Sequence, residues 1–108
     1  METAPTTTVE RRLAARRQPA MGTIFRHDGA VPGLVWNIST GGLSLLVADP
    51  PERGTTVRGA LATADGRTQS VAFVVTHVSP LRTGDYVIGG PFDKALEPDE
   101  LRPFVVPS

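Results

Sequence analysis

Glycine and proline punctuate this chain so often that most of it cannot form a long helix. Between residues 20 and 92, the longest stretch free of both is 67–79. An interior glycine weakens a helix and a proline breaks one. The segments between the breakers alternate instead. Leu43, Leu45 and Val47 interleave with Ser44, Leu46 and Ala48, a period of two that predicts a strand with one face in a core. Residues 55–63 repeat the pattern, and Asp65-Gly66 behind them is a strong hairpin signal. Residues 69–78 form the longest expected strand, with Val71, Phe73 and Val75 facing one way and His77 continuing that face at the rim. Residues 23–26, 34–38 and 86–92 complete six strands, with Trp36, Phe73 and Phe92 expected in the core. Gly89-Gly90 predicts a bulge or a close backbone approach. Glu97-Pro98-Asp99-Glu100-Leu101 reads as a helix start, with proline at the first helical position and acids in the first turn; Pro103 keeps the helix short.

Short strands at near-regular spacing predict an all-β chain: a small six-stranded antiparallel β-barrel with a short C-terminal helix and a flexible N-terminal arm. The expected divisions are a disordered tail over 1–9, an arginine-rich arm over 10–19, and the barrel with its terminal helical turn over 20–105.

Charge and composition narrow the function classes. Eleven basic residues offset eleven acidic ones, which argues against a general binder of nucleic-acid polymers or membranes. Cysteine is absent, so cysteine nucleophiles, disulfides and thiolate metal sites are excluded. His27 and His77 lack metal-ligand spacing, and neither a Gly-x-Ser-x-Gly elbow nor a phosphate loop occurs. These absences point away from an enzyme. No secretory signal is visible, so the expectation is a cytoplasmic protein, monomeric by default.

Two segments carry chemistry. Lys94 is the only lysine, and four of the arginines, Arg11, Arg12, Arg16 and Arg17, cluster near the start. Guanidinium forks make paired hydrogen bonds to phosphate or to the O6/N7 edge of guanine, and they stack on bases. A GC-rich genome produces the same arginine bias. The second segment is Asn37-Ile38-Ser39-Thr40-Gly41-Gly42. Its amide and hydroxyl can address base edges, and a glycine lets backbone approach a flat ring. The same residues also make a good turn for its own sake.

In order and spacing, Arg12-Leu13-Ala14-Ala15-Arg16 followed by Asn37-Ile38-Ser39-Thr40-Gly41-Gly42 resembles the PilZ domain family, which pairs Arg-x-x-x-Arg with a later [Asp/Asn]-x-Ser-x-x-Gly. Gly41-Gly42-Leu43-Ser44-Leu45 resembles the family's strand entry, and Gly89-Gly90-Pro91-Phe92 its closing Gly-x-x-Phe. The resemblance implies a receptor for bis-(3′-5′)-cyclic dimeric GMP (cyclic di-GMP) acting as a single-domain adaptor on a downstream protein partner. It implies that Arg12 and Arg16 bind phosphate and guanine from the arm, and that Asn37, Ser39 and Gly42 line the guanine. Arg11, directly before the first motif, implies a second, intercalated ligand molecule. The alternative is a protein-interaction module on the same fold that does not bind nucleotide. The chain departs from the pattern in carrying Asn37 where aspartate is commoner, which removes a carboxylate from the site. Pro19 and Gly22 also make the segment after the arginines less strand-like.

Overall fold

The computed structural model describes residues 17–20, 22–27 and 33–106. The expected tail, the motif residues Arg11, Arg12 and Arg16, and the turn residues Asp28, Gly29, Ala30 and Pro32 lie outside the described residues. Seven strands are present among the described residues: β1 (Ile24–Arg26), β2 (Gly33–Ile38), β3 (Gly42–Val47), β4 (Thr56–Ala62), β5 (Thr68–Val74), β6 (His77–Pro80) and β7 (Tyr86–Pro91). All neighbouring pairs are antiparallel, in the order β5-β4-β1-β2-β3-β7-β6. The sheet curls into a barrel-like form, and the all-β expectation holds.

The count is seven rather than six because the longest expected strand divides. Its first part, β5, pairs with β4; its second, β6, pairs with β7. Val75 and Thr76 form the junction. The Val75 N–H donates to the Thr55 carbonyl (2.9 Å) on the β4 side, and the Thr76 N–H to the Gly89 carbonyl (2.9 Å) on the β7 side. One segment thus supplies both outermost strands, so the curled sheet returns on itself. A bridge between Phe73 and Phe92 and the Asp93 N–H to Ala72 carbonyl bond (2.9 Å) reinforce the return. Backbones pass so closely there that a Cβ on Gly90 would lie 1.7 Å from the Val74 carbonyl oxygen. The close approach expected at Gly89-Gly90 is present, and the β3–β7 register runs through it without a bulge.

The junction also shifts the alternation by one residue. Val75 is fully buried, yet it is Val78, not His77, that packs against the core. His77 pairs with Gly89 and takes the opposite face, so the expectation that it continues the Phe73–Val75 face is corrected.

Phe25, Ile38, Leu43, Leu45, Leu61, Phe73 and Ile88 fill the core at 2% exposure or less. Burial of each such side chain contributes about 1.5–3 kcal/mol. Phe25 and Phe73 meet edge to face, with centroids 5.7 Å apart and planes at 75°. A four-residue helix, Pro98–Leu101, and a 3-10 turn, Arg102–Phe104, follow the last strand as expected. The Glu97 N–H donates to Glu100 Oε1 at 2.8 Å, half of the reciprocal pairing that starts helices. Leu96, Leu101, Phe104 and Val105 join the same core.

Candidate functional site

The described end of the arginine-rich arm is held against the barrel. The Arg17 N–H donates to the Ile38 carbonyl (2.7 Å), and the Ile38 N–H to the Arg17 carbonyl (3.1 Å). On the other side, Val106 N–H donates to Gln18 O (2.9 Å), Ala20 N–H donates to Phe104 O (3.0 Å), and Arg17 Nη2 reaches Val106 O (3.1 Å). Residues 17–20 therefore lie between β2 and the C-terminal segment. Arg16 is joined by one peptide bond to a residue paired with the centre of Asn37-Ile38-Ser39. The described end of the arm, at Arg17, and the Asn37-Ile38-Ser39 segment, far apart in sequence, are neighbours in space at this point.

Ser39 is 2% exposed, and its hydroxyl oxygen accepts the N–H groups of Gly41 (3.1 Å) and Gly42 (3.2 Å). The Ser39 N–H donates to the Gly42 carbonyl (2.9 Å), closing the turn between β2 and β3. This is a hydroxyl-capped turn of the kind serine favours. Gly42 is buried where β3 meets β7; a Cβ there would stand 2.4 Å from the Gly90 carbonyl oxygen. The turn also anchors the segment after β7: Phe92 N–H donates to Gly41 O and Leu96 N–H to Thr40 O, each at 2.8 Å. Ser39 and Gly42 thus make the turn that the segment predicts, and Gly42 adds a close backbone approach to Gly90 that the segment alone did not announce.

Asn37 sits differently. On β2, Val35 opposes Leu45 while Asn37 opposes Ser44, so Trp36 and Asn37 together face one β3 residue. That is a β-bulge. Val35 and Ile38 remain in the core, and Trp36 is 51% exposed. The expected burial of Trp36 is therefore corrected: consecutive residues of a regular strand alternate faces, but the bulge leaves both Trp36 and half-buried Asn37 off the core side. From Asn37 the register runs across the barrel's outer face to Ser44, Gly89 and His77. The His77 ring leans over Gly89: a Cβ there would meet His77 Cε1 at 2.7 Å and Ser44 Oγ at 2.8 Å. The middle of this strip is covered: Ser44 is 4% exposed and Gly89 is buried beneath the imidazole, so the half-buried Asn37 and His77 are its accessible ends. Sequence reasoning placed His77 on the wrong face, because nothing local marks where the long strand changes partner.

Two concavities lie elsewhere. One of about 670 Å³ is lined by Gly33, Leu34, Leu46, Val47, Asp49 and Asp85, among others, at the end of the β2–β3 hairpin away from its turn. Another of about 490 Å³ lies between β4–β5 and the segment around Asp93–Leu96. Neither includes Asn37, Ser39 or Gly42. Among the described residues no cluster of three acidic or histidine side chains could hold a metal ion, and no helix is long and apolar enough to cross a membrane.

No protein-family model matches the chain, and comparison with curated proteins finds no relative. Among solved structures, the fold is similar to the Bacillus subtilis inhibitor of motility, MotI/DgrA, with a TM-score of 0.66 and 17% identity over 85% of this chain. The chain spans about half of that structure, 47% of its length. At this identity the likeness establishes a shared fold: the curled antiparallel barrel built here around the β2–β3 turn is an architecture also found in a motility inhibitor.

Proposed function

We propose that the chain is a cyclic di-GMP-binding adaptor without catalytic activity. The observation that carries this reading is the backbone pairing of Arg17 with Ile38, which supports a site shared by the arginine arm and the Asn37-to-Gly42 segment. In this reading Arg12 and Arg16 grip phosphate and guanine, and Asn37 reads a base edge. Ser39 and Gly42 hold the turn that presents it, and Arg11 recruits a second ligand molecule. The ligand orders the arm, which costs conformational entropy and makes the response switchable. The arm and its barrel then present an altered surface to a downstream protein partner. The fold likeness to a motility inhibitor is consistent with a regulatory role.

Isothermal titration calorimetry with cyclic di-GMP, against GTP and GMP, tests the proposal. Selective binding at low micromolar Kd is expected, equivalent to about −8 kcal/mol. Arg12→Ala and Arg16→Ala each lose charge-assisted hydrogen bonds of about 1.5–3 kcal/mol and weaken binding at least tenfold. Arg11→Ala lowers the stoichiometry from two ligands to one. Silence at high micromolar ligand defeats the proposal and leaves the interaction-module reading.

A further inference from the structure

Trp36 is a large indole left 51% exposed on a strand whose neighbouring residues, Val35 and Ile38, are buried. Single exposed apolar residues are common, so exposure alone decides nothing. Its setting does more. The bulge is the one irregularity in the β2–β3 register, and it falls on Trp36 and Asn37. On a regular strand these residues would face apart, and only the extra residue puts both off the core side. Two residues further, Ile38 pairs with Arg17, where the arginine arm joins the barrel. A planar heterocycle needs two kinds of contact, hydrogen bonds at its edge and an apolar or π surface at its face. Consecutive residues here supply both: the Asn37 amide for the edge and the Trp36 indole for the face.

We propose that Trp36 is a ligand-contacting residue, stacking on a purine base whose edge Asn37 reads. The inference rests on the nucleotide-binding reading above and adds a residue to that site. A protein surface is the competing occupant of Trp36, and the nearby exposed Leu34 would share it. The place of the indole next to the base-reading amide, two residues from where the arm joins, favours the base.

The chain has a single tryptophan, so indole emission reports this position alone. The full chain is titrated with cyclic di-GMP by fluorescence and by calorimetry in parallel, with GTP as control. Saturable quenching is expected, with the calorimetric midpoint. Trp36→Phe keeps an aromatic face and stays within about threefold of wild-type affinity. Trp36→Leu keeps apolar bulk without a π face and weakens binding about tenfold, a typical loss for one base stack. Trp36→Gln repeats that loss by a second route, and thermal melts of all three variants match wild type because the side chain is outside the core. Calorimetric binding that is unchanged in Trp36→Leu overturns the inference while the adaptor reading stands, even if emission changes; Trp36 is then a surface for a protein partner. Absence of wild-type binding overturns both.

Discussion

Two hairpins in the same sheet are built to different standards. The β4–β5 hairpin is a regular ladder, seven residue pairs in unbroken register from Thr56–Val74 to Ala62–Thr68. Its turn projects into solvent: Gly66 sits at φ +96° with nothing near the position of a Cβ. The β2–β3 hairpin has a bulge at its middle, a buried serine in its turn and backbone packed on three sides. Both turns use a hydroxyl to hold backbone N–H groups, Ser39 in one and Thr63 in the other. The difference is what surrounds them. The first hairpin needs only local turn chemistry. The second is a junction where the arm, β7 and the C-terminal segment converge, so its small residues are constrained by contacts distant in sequence.

Matched substitutions break this comparison apart. Gly42→Ala forces a methyl against the Gly90 carbonyl, 2.4 Å from the ideal Cβ position, and β7 must shift. A loss of about 3 kcal/mol, the upper range for overpacking, is expected in urea denaturation. Gly66→Ala meets no atom and incurs only the left-handed backbone penalty, about 1 kcal/mol. Equal losses would show that the two turns are equally local.

Ser39→Ala removes the acceptor of two backbone N–H groups in a buried turn and should cost about 2 kcal/mol. Thr63→Ala exposes the Arg67 N–H to water, which replaces the lost bond, so the same denaturation series should register less than about 1 kcal/mol. Ser39→Thr, restoring a hydroxyl, sharpens the test if the pocket tolerates its extra methyl group.

The smallest effect is electrostatic. A hydrogen bond from the Thr63 hydroxyl, assisted by the Arg67 guanidinium, holds the Asp65 carboxyl below its ordinary value of 3.8. A depressed carboxyl stabilises the fold above its unfolded pKa, and that contribution disappears as pH falls through the lower folded value. Melting temperatures of wild type and Asp65→Asn should differ slightly at neutral pH and converge below about pH 4. Full solvent exposure keeps the difference small. A difference that grows on acidification has the wrong sign for this account.

Much of the fold was legible in residues 20–106. Alternation located the strands to within a residue or two, Asp65-Gly66 marked its hairpin, and Pro98 with Glu100 marked the helix start, because each signal is carried by neighbours in sequence. The candidate site was legible as two motifs, since arginine, asparagine and glycine announce their chemistry by type. What sequence could not say was how the strands pair or where the arm's described end docks. A period of two assigns a face but names no partner strand, so the bulge at Trp36, which exists only relative to Leu45 and Ser44 of β3, was invisible, and the indole was expected inside. The same reason concealed the change of partner at Val75–Thr76 that divides the longest strand and turns His77 outward. Pairing of Arg17 with Ile38 likewise depends on which backbone groups the finished barrel leaves unpaired. Local propensity determined the elements of this protein; the closing of the sheet, which satisfies backbone hydrogen bonds between distant segments, decided which side chains those elements leave at the surface.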